Sequence, residues 1–353
     1  MLMRFLERVE IGRSIGLYSG AQIEWGDLNA AAMNFNIGYT RWRDGEAISD
    51  KTQFDVASLT KIVATSLLSM HAVEAAKLDL EEKLVYYWPE LKGWGEHYTL
   101  ADLLSHQTPL AAWHNFAALL PESKWGSDFA RAEITRLCLE YPVRRTEDGK
   151  LDASTEYTDL GFILLGTLLE RVLEAPLCDS FDRLVVQALE LESTCFGPIS
   201  YPKHVNCACT KWYKGLPLQG IVDDDNARCM GGVAGHAGVF SSATDLGKIC
   251  RALLKADTRL PFSQKTLQKF WDAKATNSRF ALAWDRATGH DSLSGMPESK
   301  QILGHLGFTG CSLWINRDSH KYWILLSNRN HGVLPPSELA GIRRDLGKIA
   351  NSE

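Results

Sequence analysis

Residues 54–65 read FDVASLTKIVAT and place Ser58 and Lys61 three residues apart, just ahead of an apolar-periodic run. Ile62, Leu67, Leu68, Val73 and Ala76 continue that period, so the spacing predicts a helix over 58–78. Residues three apart on a helix share a face and can touch. The first turn of a helix also has unpaired N–H groups and a dipole that favours negative charge. A serine there can attack a carbonyl whose oxygen is held by the serine's own N–H. It needs a base, and a lysine serves only when burial or a neighbouring cation takes its ammonium proton away. The competing reading is ordinary polar capping beside a solvated lysine, and the motif alone leaves both open.

Two further stretches bear on the choice. EYTDLGFILLG sets Tyr157 and Asp159 immediately before a strongly apolar helix. Tyr157 can act as a second base or proton relay, and Asp159 can bond to Lys61 and a substrate amide. Otherwise Asp159 is an N-cap and Tyr157 a packed ring. GHLGFTG (304–310) is glycine-rich within a strand region, where glycine marks close approach of another backbone or a ligand. A substrate lying along that edge would be held by main-chain bonds, with the Phe308 N–H facing the Ser58 N–H as an oxyanion pair. Each such donor is worth roughly 3–4 kcal/mol of barrier. His305 is expected to face the same cleft.

Two look-alike serine motifs fail on context. GRSIG (12–16) matches a nucleophile elbow but has only eleven residues before it and strand-like sequence after it. Ser200 and Lys203 have Pro202 between them and no periodic segment following.

The 353 residues fit one large or two intimately packed domains. A net charge of −5 leaves no basic excess for neutralising phosphates, which argues against nucleic acid as a partner. No stretch approaches the ~20 apolar residues of a membrane span. MLMRFLERVEIGR reads as an amphipathic helix rather than a signal peptide, so the expected location is the cytoplasm, or the periplasm if a leader has been removed. The eight cysteines read as reduced thiols. HVNCAC, with His204, Cys207 and Cys209, lacks the knuckle spacing and second pair of a zinc site, so no metal is expected.

SIGLYSGAQIEWGD and AAMNFNIGYTRWRDGE read as antiparallel strands near one end, and RFALAWDR, QILGHLGF, CSLWINRD and KYWILLSNR as strands near the other. Between them LADLLSHQ, FARAEITRLCLEY, LGFILLGTLLERVLE and SFDRLVVQALEL read as helices. SATDLGKICRALLKA and PSELAGIRRDLGKIA are helical in the last third, the former capped by Ser241, Ser242 or Thr244. The expected fold class is α+β: an antiparallel sheet flanked by helices (1–75 and 236–353) with a mainly helical domain inserted at 76–235.

Taken together, FDVASLTK, LLSHQTPLAAW, YTDLGFILLG and GHLGFTG resemble the serine β-lactamase and penicillin-binding protein superfamily. The closest branch is that of class C β-lactamases, D-alanyl-D-alanine carboxypeptidases and related esterases. VDDDNARCMGGVAGHAGVFSSATDLGK (222–248) resembles a sub-branch found with cell-wall recycling enzymes, in which a glycine loop near the cleft offers His236 as a substrate contact; packing is the other reading of that loop. The resemblance implies a β-lactamase/transpeptidase-like fold, attack by Ser58, proton transfers shared by Lys61 and Tyr157, an acyl-enzyme, and no cofactor. Asp159 stands for the family's asparagine, His305 for its lysine and Leu306 for a threonine. Gly307 completes that motif. HQTPL alters what is expected to be a loop over the cleft, and Asp223–Asp225 read as a solvated turn rather than a cation site.

The resulting expectation is a serine hydrolase that cleaves an ester or amide, with weak or no β-lactamase activity. A peptidoglycan-derived fragment or D-amino-acid peptide is the substrate class the resemblance implies. The rival is a non-catalytic protein that binds a muropeptide or other small ligand in the same cleft.

Overall fold

Among the described residues six antiparallel strands form the central sheet, in the spatial order Met33–Gly38, Gly20–Asp27, Lys321–Ser327, Ser312–Asn316, Ser299–Leu306, Asp285–Ala287. The computed structural model describes residues 1–152, 154–200, 202–273, 279–289, 292–335 and 337–352. Tyr201 of the discarded Ser200–Lys203 motif and Pro336 of the last predicted helix lie outside them.

Both sheet faces are covered, which is why the interior strand Lys321–Ser327 reads as an almost unbroken apolar run. Successive side chains on a strand point to opposite faces. Trp323 and Leu325 face the terminal helices Leu2–Ser14 and Ser337–Ser352, and Tyr322, Ile324 and Leu326 face the opposite core. Trp25 and Trp314 flank Trp323 in register, so three buried tryptophans lie side by side on the terminal-helix face. On the other face lies Ala243–Lys255, whose Leu246, Ile249, Cys250 and Leu253 follow helical spacing and whose first turn is capped by Ser242.

That second core runs without interruption from the sheet into the helical region. Asp159–Leu173 lies at its centre, and its apolar side chains from Leu160 to Leu169 are buried except at Thr167. A helix apolar on all sides has to be surrounded, and this one packs against Ser66–Glu74, Asp128–Glu140 and the glycine loop 231–238.

Two predicted elements change on folding. Of RFALAWDR (279–286) only the last two residues fall in a strand, Asp285–Ala287. The preceding backbone bonds elsewhere instead, Leu282 N–H to the Phe270 carbonyl and Ala283 N–H to the Leu104 carbonyl. The helix expected over 58–78 is composite: a 3₁₀ turn at Ala57–Leu59, a π turn at Lys61–Thr65, and α-helix only at Ser66–Glu74. Tertiary bonds hold the widened turn, from the Thr65 hydroxyl to the Gly235 carbonyl (2.6 Å) and from the Trp284 indole to the Ser66 hydroxyl (3.1 Å). π turns of this kind recur at functional sites.

Gly235 sits where its backbone meets that of Gly166, and a methyl group there would strike the Phe162 carbonyl and the Gly166 amide. Gly235→Ala is therefore expected to destabilise the fold by about 1–3 kcal/mol, read as a lower urea midpoint. An unchanged midpoint would show that the loop can back away from the helix.

Candidate active site

The chain enters the site through a strained turn. Ala57 has φ +48°, a left-handed conformation that costs an alanine energy. The Asp55 carboxylate holds it there by accepting the Ala57 N–H at 2.9 Å, and its other oxygen accepts the Asp223 N–H at 2.7 Å. Burial, then the nearby Asp223 charge, pushes the Asp55 carboxyl up to about 7. Ser58 follows directly, half-buried at the mouth of a 380 Å³ pocket.

Ser58 Oγ lies 3.0 Å from Lys61 Nζ and 2.8 Å from the Tyr157 hydroxyl. Lys61 is completely buried, and its Nζ also reaches Asp159 Oδ1 (2.6 Å) and the His236 carbonyl (3.1 Å). Its two forms distribute protons differently. If Lys61 is an ammonium, Ser58 Oγ accepts from both Lys61 and Tyr157, and its own proton has no partner among the described residues. If Lys61 is an amine, it donates to Asp159 and His236 and accepts the Ser58 proton, and every group is satisfied. Burial lowers the Lys61 amine below its ordinary range, and the Asp159 carboxylate opposes that shift. Burial raises the Tyr157 phenol well above its ordinary range, with help from the Asp159 charge, so it stays protonated. The arrangement can take a proton from Ser58 and hand one to a leaving group.

Tyr157 and Asp159 are held from behind. Thr158, not Asp159, caps the buried helix, and its N–H donates to His106 Nδ1 (3.0 Å). The Thr158 hydroxyl and Asp159 N–H donate to the carbonyls of Ala111 (2.7 Å) and Ala112 (2.8 Å). The HQTPL segment thus corrects its expectation. His106, Thr108 and Leu110 are buried underneath the site, not looped over it. Burial drives the His106 imidazole well below its ordinary value, and its ring packs 4.8 Å from that of Tyr157.

The third motif is placed differently from the expectation. His305 is buried and does not line the pocket; its Nδ1–H donates to the Leu306 carbonyl (2.7 Å) and its ring lies 5.6 Å from Tyr157. Burial lowers it to about 3, so it backs Tyr157 as a neutral ring. The Leu306 side chain packs into the terminal-helix core, on the far face of the sheet, as strand alternation requires. Gly307 is needed for close approach, since a Cβ there would stand 2.5 Å from the Val56 carbonyl. The Thr309 hydroxyl clamps the same turn to the Asp55 carbonyl (2.7 Å). Phe308, with its ring exposed, does line the pocket beside Ser58.

The glycine loop 231–238 delivers His236 to the pocket wall, where Nε2 meets Asp224 Oδ1 at 2.8 Å. Asp223–Asp225 are not the solvated turn expected. Asp223 is buried with one carboxylate oxygen on Asn330, Asp224 caps a short helix at Ala227, and Asp225 pairs with Arg228 and Lys211. Sequence reading missed Trp113 and Lys211 as pocket residues. Trp113 was within reach of inference, because an aromatic directly after LAA (110–112) in a loop is costly to expose without a use. Cys207 and Cys209 are buried thiols raised to about 12 by burial. No described helix is long and apolar enough to cross a membrane.

A Ser-x-x-Lys pair on the first turns of a helix, meeting a tyrosine beside the turn that follows strand Ser299–Leu306, is the arrangement of a hydrolase of the serine β-lactamase superfamily. The family model described as Beta-lactamase matches residues 18–347. The chain belongs to that family. It is 29% identical over 337 residues to the N-acetylmuramyl-L-alanine amidase of Bacillus subtilis (strain 168), covering 85% of this chain and 75% of that protein. It is 25% identical over 334 residues to a putative D-alanyl-D-alanine carboxypeptidase of Salmonella agona (strain SL483), covering 83% and 75%. Among solved structures, a class C β-lactamase from Rhodobacter sphaeroides superposes with a TM-score of 0.73 at 17% identity, covering 98% of each chain. EstCE1, a hydrolase with promiscuous acyltransferase activity, does so at 0.75 and 17%, again covering 98% of each. These structural likenesses establish the fold.

Asp159 raises the Lys61 amine by favouring its charged form, so removing the carboxylate lowers it. Asp159→Asn is expected to move the Lys61 titration, followed by ¹⁵N NMR of Nζ, to lower pH by about 1–3 pH units. A titration that stays in place would mean that burial alone sets the amine.

Proposed function

We propose that the protein hydrolyses an amide or ester of a peptidoglycan-derived fragment through a covalent Ser58 acyl-enzyme, with weak or no β-lactamase activity. The observation that carries this reading is the bracketing of Ser58 Oγ by Lys61 Nζ at 3.0 Å and the Tyr157 hydroxyl at 2.8 Å. Ser58 Oγ forms a bond to the substrate carbonyl carbon while its proton passes to the Lys61 amine. The tetrahedral oxyanion falls to the backbone N–H groups of Ser58 and Phe308. The bond to the leaving amine or alcohol breaks as a proton is delivered to it, by Lys61 directly or through Tyr157. Water then hydrolyses the ester on Ser58.

The pocket chemistry supports a ligand rich in hydrogen-bond donors. Lys211, which lines the pocket, is engaged with Asp225 and the Asp223 carbonyl, and the buried Lys61 beneath Ser58 is taken up by Asp159. Neither is left to bind the carboxylate that a β-lactam or a D-Ala-D-Ala terminus presents. Asp224, Asp225 and His236 supply acceptor-bearing side chains, and the half-exposed Trp113 ring offers an apolar face. That combination suits a sugar or amide surface. The amidase named for an N-acetylmuramyl-L-alanine bond, at 29% identity, points to the amide joining a muramyl lactate to its peptide.

Ser58→Ala is expected to lower hydrolysis of N-acetylmuramyl-L-alanine and p-nitrophenyl esters by at least about 10³-fold, with wild type slow or silent on nitrocefin. Turnover undiminished in Ser58→Ala would remove the serine from the mechanism. Tight binding of the muramyl amide by wild type without any turnover would replace hydrolysis with ligand sensing.

A further inference from the structure

We infer that Arg343, on the helix Ser337–Ser352, is a positioning residue for the oxyanion site: it holds the Gly307–Phe308 peptide so that the Phe308 N–H meets the carbonyl that Ser58 attacks. The inference rests on the acyl-enzyme reading and adds what keeps one of its two oxyanion donors in place. A preorganised donor lowers a barrier because it needs no reorientation when the charge develops. Phe308 lines the pocket beside Ser58, yet it belongs to the short turn 307–311 that joins strands Ser299–Leu306 and Ser312–Asn316. A turn outside the strand ladder has to be held by other bonds.

Every carbonyl of that turn is bonded within the protein. Arg343 Nη2 donates to the Cys311 carbonyl at 2.7 Å and to the Gly307 carbonyl at 3.3 Å. The same two carbonyls accept from the Gly307 N–H (2.7 Å) and the Gly310 N–H (3.0 Å). Arg329 donates through its guanidinium to the Phe308 carbonyl and through its N–H to the Thr309 carbonyl (2.9 Å). The Ser327 hydroxyl donates to the Gly310 carbonyl at 3.0 Å. The N–H groups are not all committed, and that of Phe308 has no partner among the described residues. The acceptors behind the turn are taken while the donor on its pocket side is free.

One peptide unit links Arg343 to the reacting carbonyl. A trans peptide is planar, so the Gly307 carbonyl and the Phe308 N–H point to opposite sides, and fixing the first aims the second. Arg343 Nη2 also joins the two ends of the turn, Gly307 and Cys311, through one nitrogen. Its charge adds to the effect, because a cation bonded to a peptide carbonyl polarises that peptide and strengthens its N–H as a donor. Desolvation lowers Arg343 to about 10, which leaves the guanidinium charged at neutral pH. The opposite side of the turn rests on the segment that leads into Ser58. A Cβ at Gly307 would stand 2.5 Å from the Val56 carbonyl, and the Thr309 hydroxyl donates to the Asp55 carbonyl at 2.7 Å. Arg343 closes the clamp from behind.

The test compares wild type with Arg343→Met, Arg343→Gln and Arg343→Lys, using p-nitrophenyl acetate as substrate and phenylboronic acid as inhibitor. Ser58 Oγ bonds to boron as its proton passes to Lys61, and the boron becomes tetrahedral and anionic with a hydroxyl in the oxyanion site. Labelling of Ser58 by a fluorophosphonate, run to completion and read by intact mass, counts the competent sites. Per competent site, Arg343→Met and Arg343→Gln are expected to lower kcat/KM by about 10–100-fold, less than the roughly 10²–10³-fold that deleting a donor outright costs. The boronate inhibition constant is expected to rise by a similar factor. Arg343→Lys, which keeps the charge without the planar fork, is expected to recover part of both losses. A merely structural role would lower the count of competent sites and the urea midpoint but leave both per-site values at wild type. That result, in whichever of the Met and Gln variants folds, would overturn the assignment of Arg343. A wild type that is neither labelled at Ser58 nor inhibited by the boronic acid would overturn the acyl-enzyme reading itself, and this inference with it.

Discussion

Burying the amine of Lys61 is the constraint around which the site is organised. An amine with no exposure to water needs acceptors from the protein for its N–H groups, and a buried charge would need more. Its partners come from separate parts of the chain: Asp159 on the buried helix and the His236 carbonyl on the glycine loop accept its N–H groups, and Ser58 one turn earlier gives a proton to its lone pair. Satisfying the amine therefore forces three segments into contact. Gly235 and Gly166 let the loop and helix approach backbone to backbone, and Thr65 ties the loop to the widened turn that carries Lys61. The reactivity proposed for Ser58 and the packing of this region are consequences of one burial.

A second layer keeps Tyr157 in place. Its ring lies against His106 and His305, two histidines that burial keeps neutral, so neither adds a positive charge beside Lys61. A lysine at position 305 would sit where the structure has no room for hydration and where an amine is already buried. The departures of the third motif from its relatives follow from position. His305 supports Tyr157, Leu306 belongs to the other face of the sheet, and only Phe308 reaches the pocket. Arg343, half-buried and lowered to about 10 by desolvation, donates to the Cys311 carbonyl at 2.7 Å and pins the turn that presents Phe308.

Much of the fold was legible because its signals are local. The runs rich in β-branched and aromatic residues at 20–27, 33–38, 299–306, 312–316 and 321–327 each became a strand, and the helical runs at 2–14, 243–255 and 337–352 became helices on the two sheet faces. Legibility failed where long-range bonds overrode local preference. Residues 279–284 look like strand but give hydrogen bonds to the helical region, and residues 57–65 look like plain helix but are reshaped by Asp55, Thr65 and Ser66. The acidic run 223–225 reads as a surface turn, since nothing nearby in sequence announces that Asn330, His236 and Lys211 will fold onto it.

By itself the sequence determined the family, the sheet and its covering helices, and the residue types able to do the chemistry. Side-chain periodicity and a three-residue spacing on one turn are properties of the chain's own geometry. Only the tertiary structure decided which of those residues meet. It brought Asp159 and the His236 carbonyl to one buried amine, turned Leu306 away, and set Asp224 against His236 with one imidazole nitrogen unused. Such contacts join residues from 12 to 175 positions apart, and their energies depend on burial and on which backbone groups are already bonded. Neither quantity exists until the chain has folded.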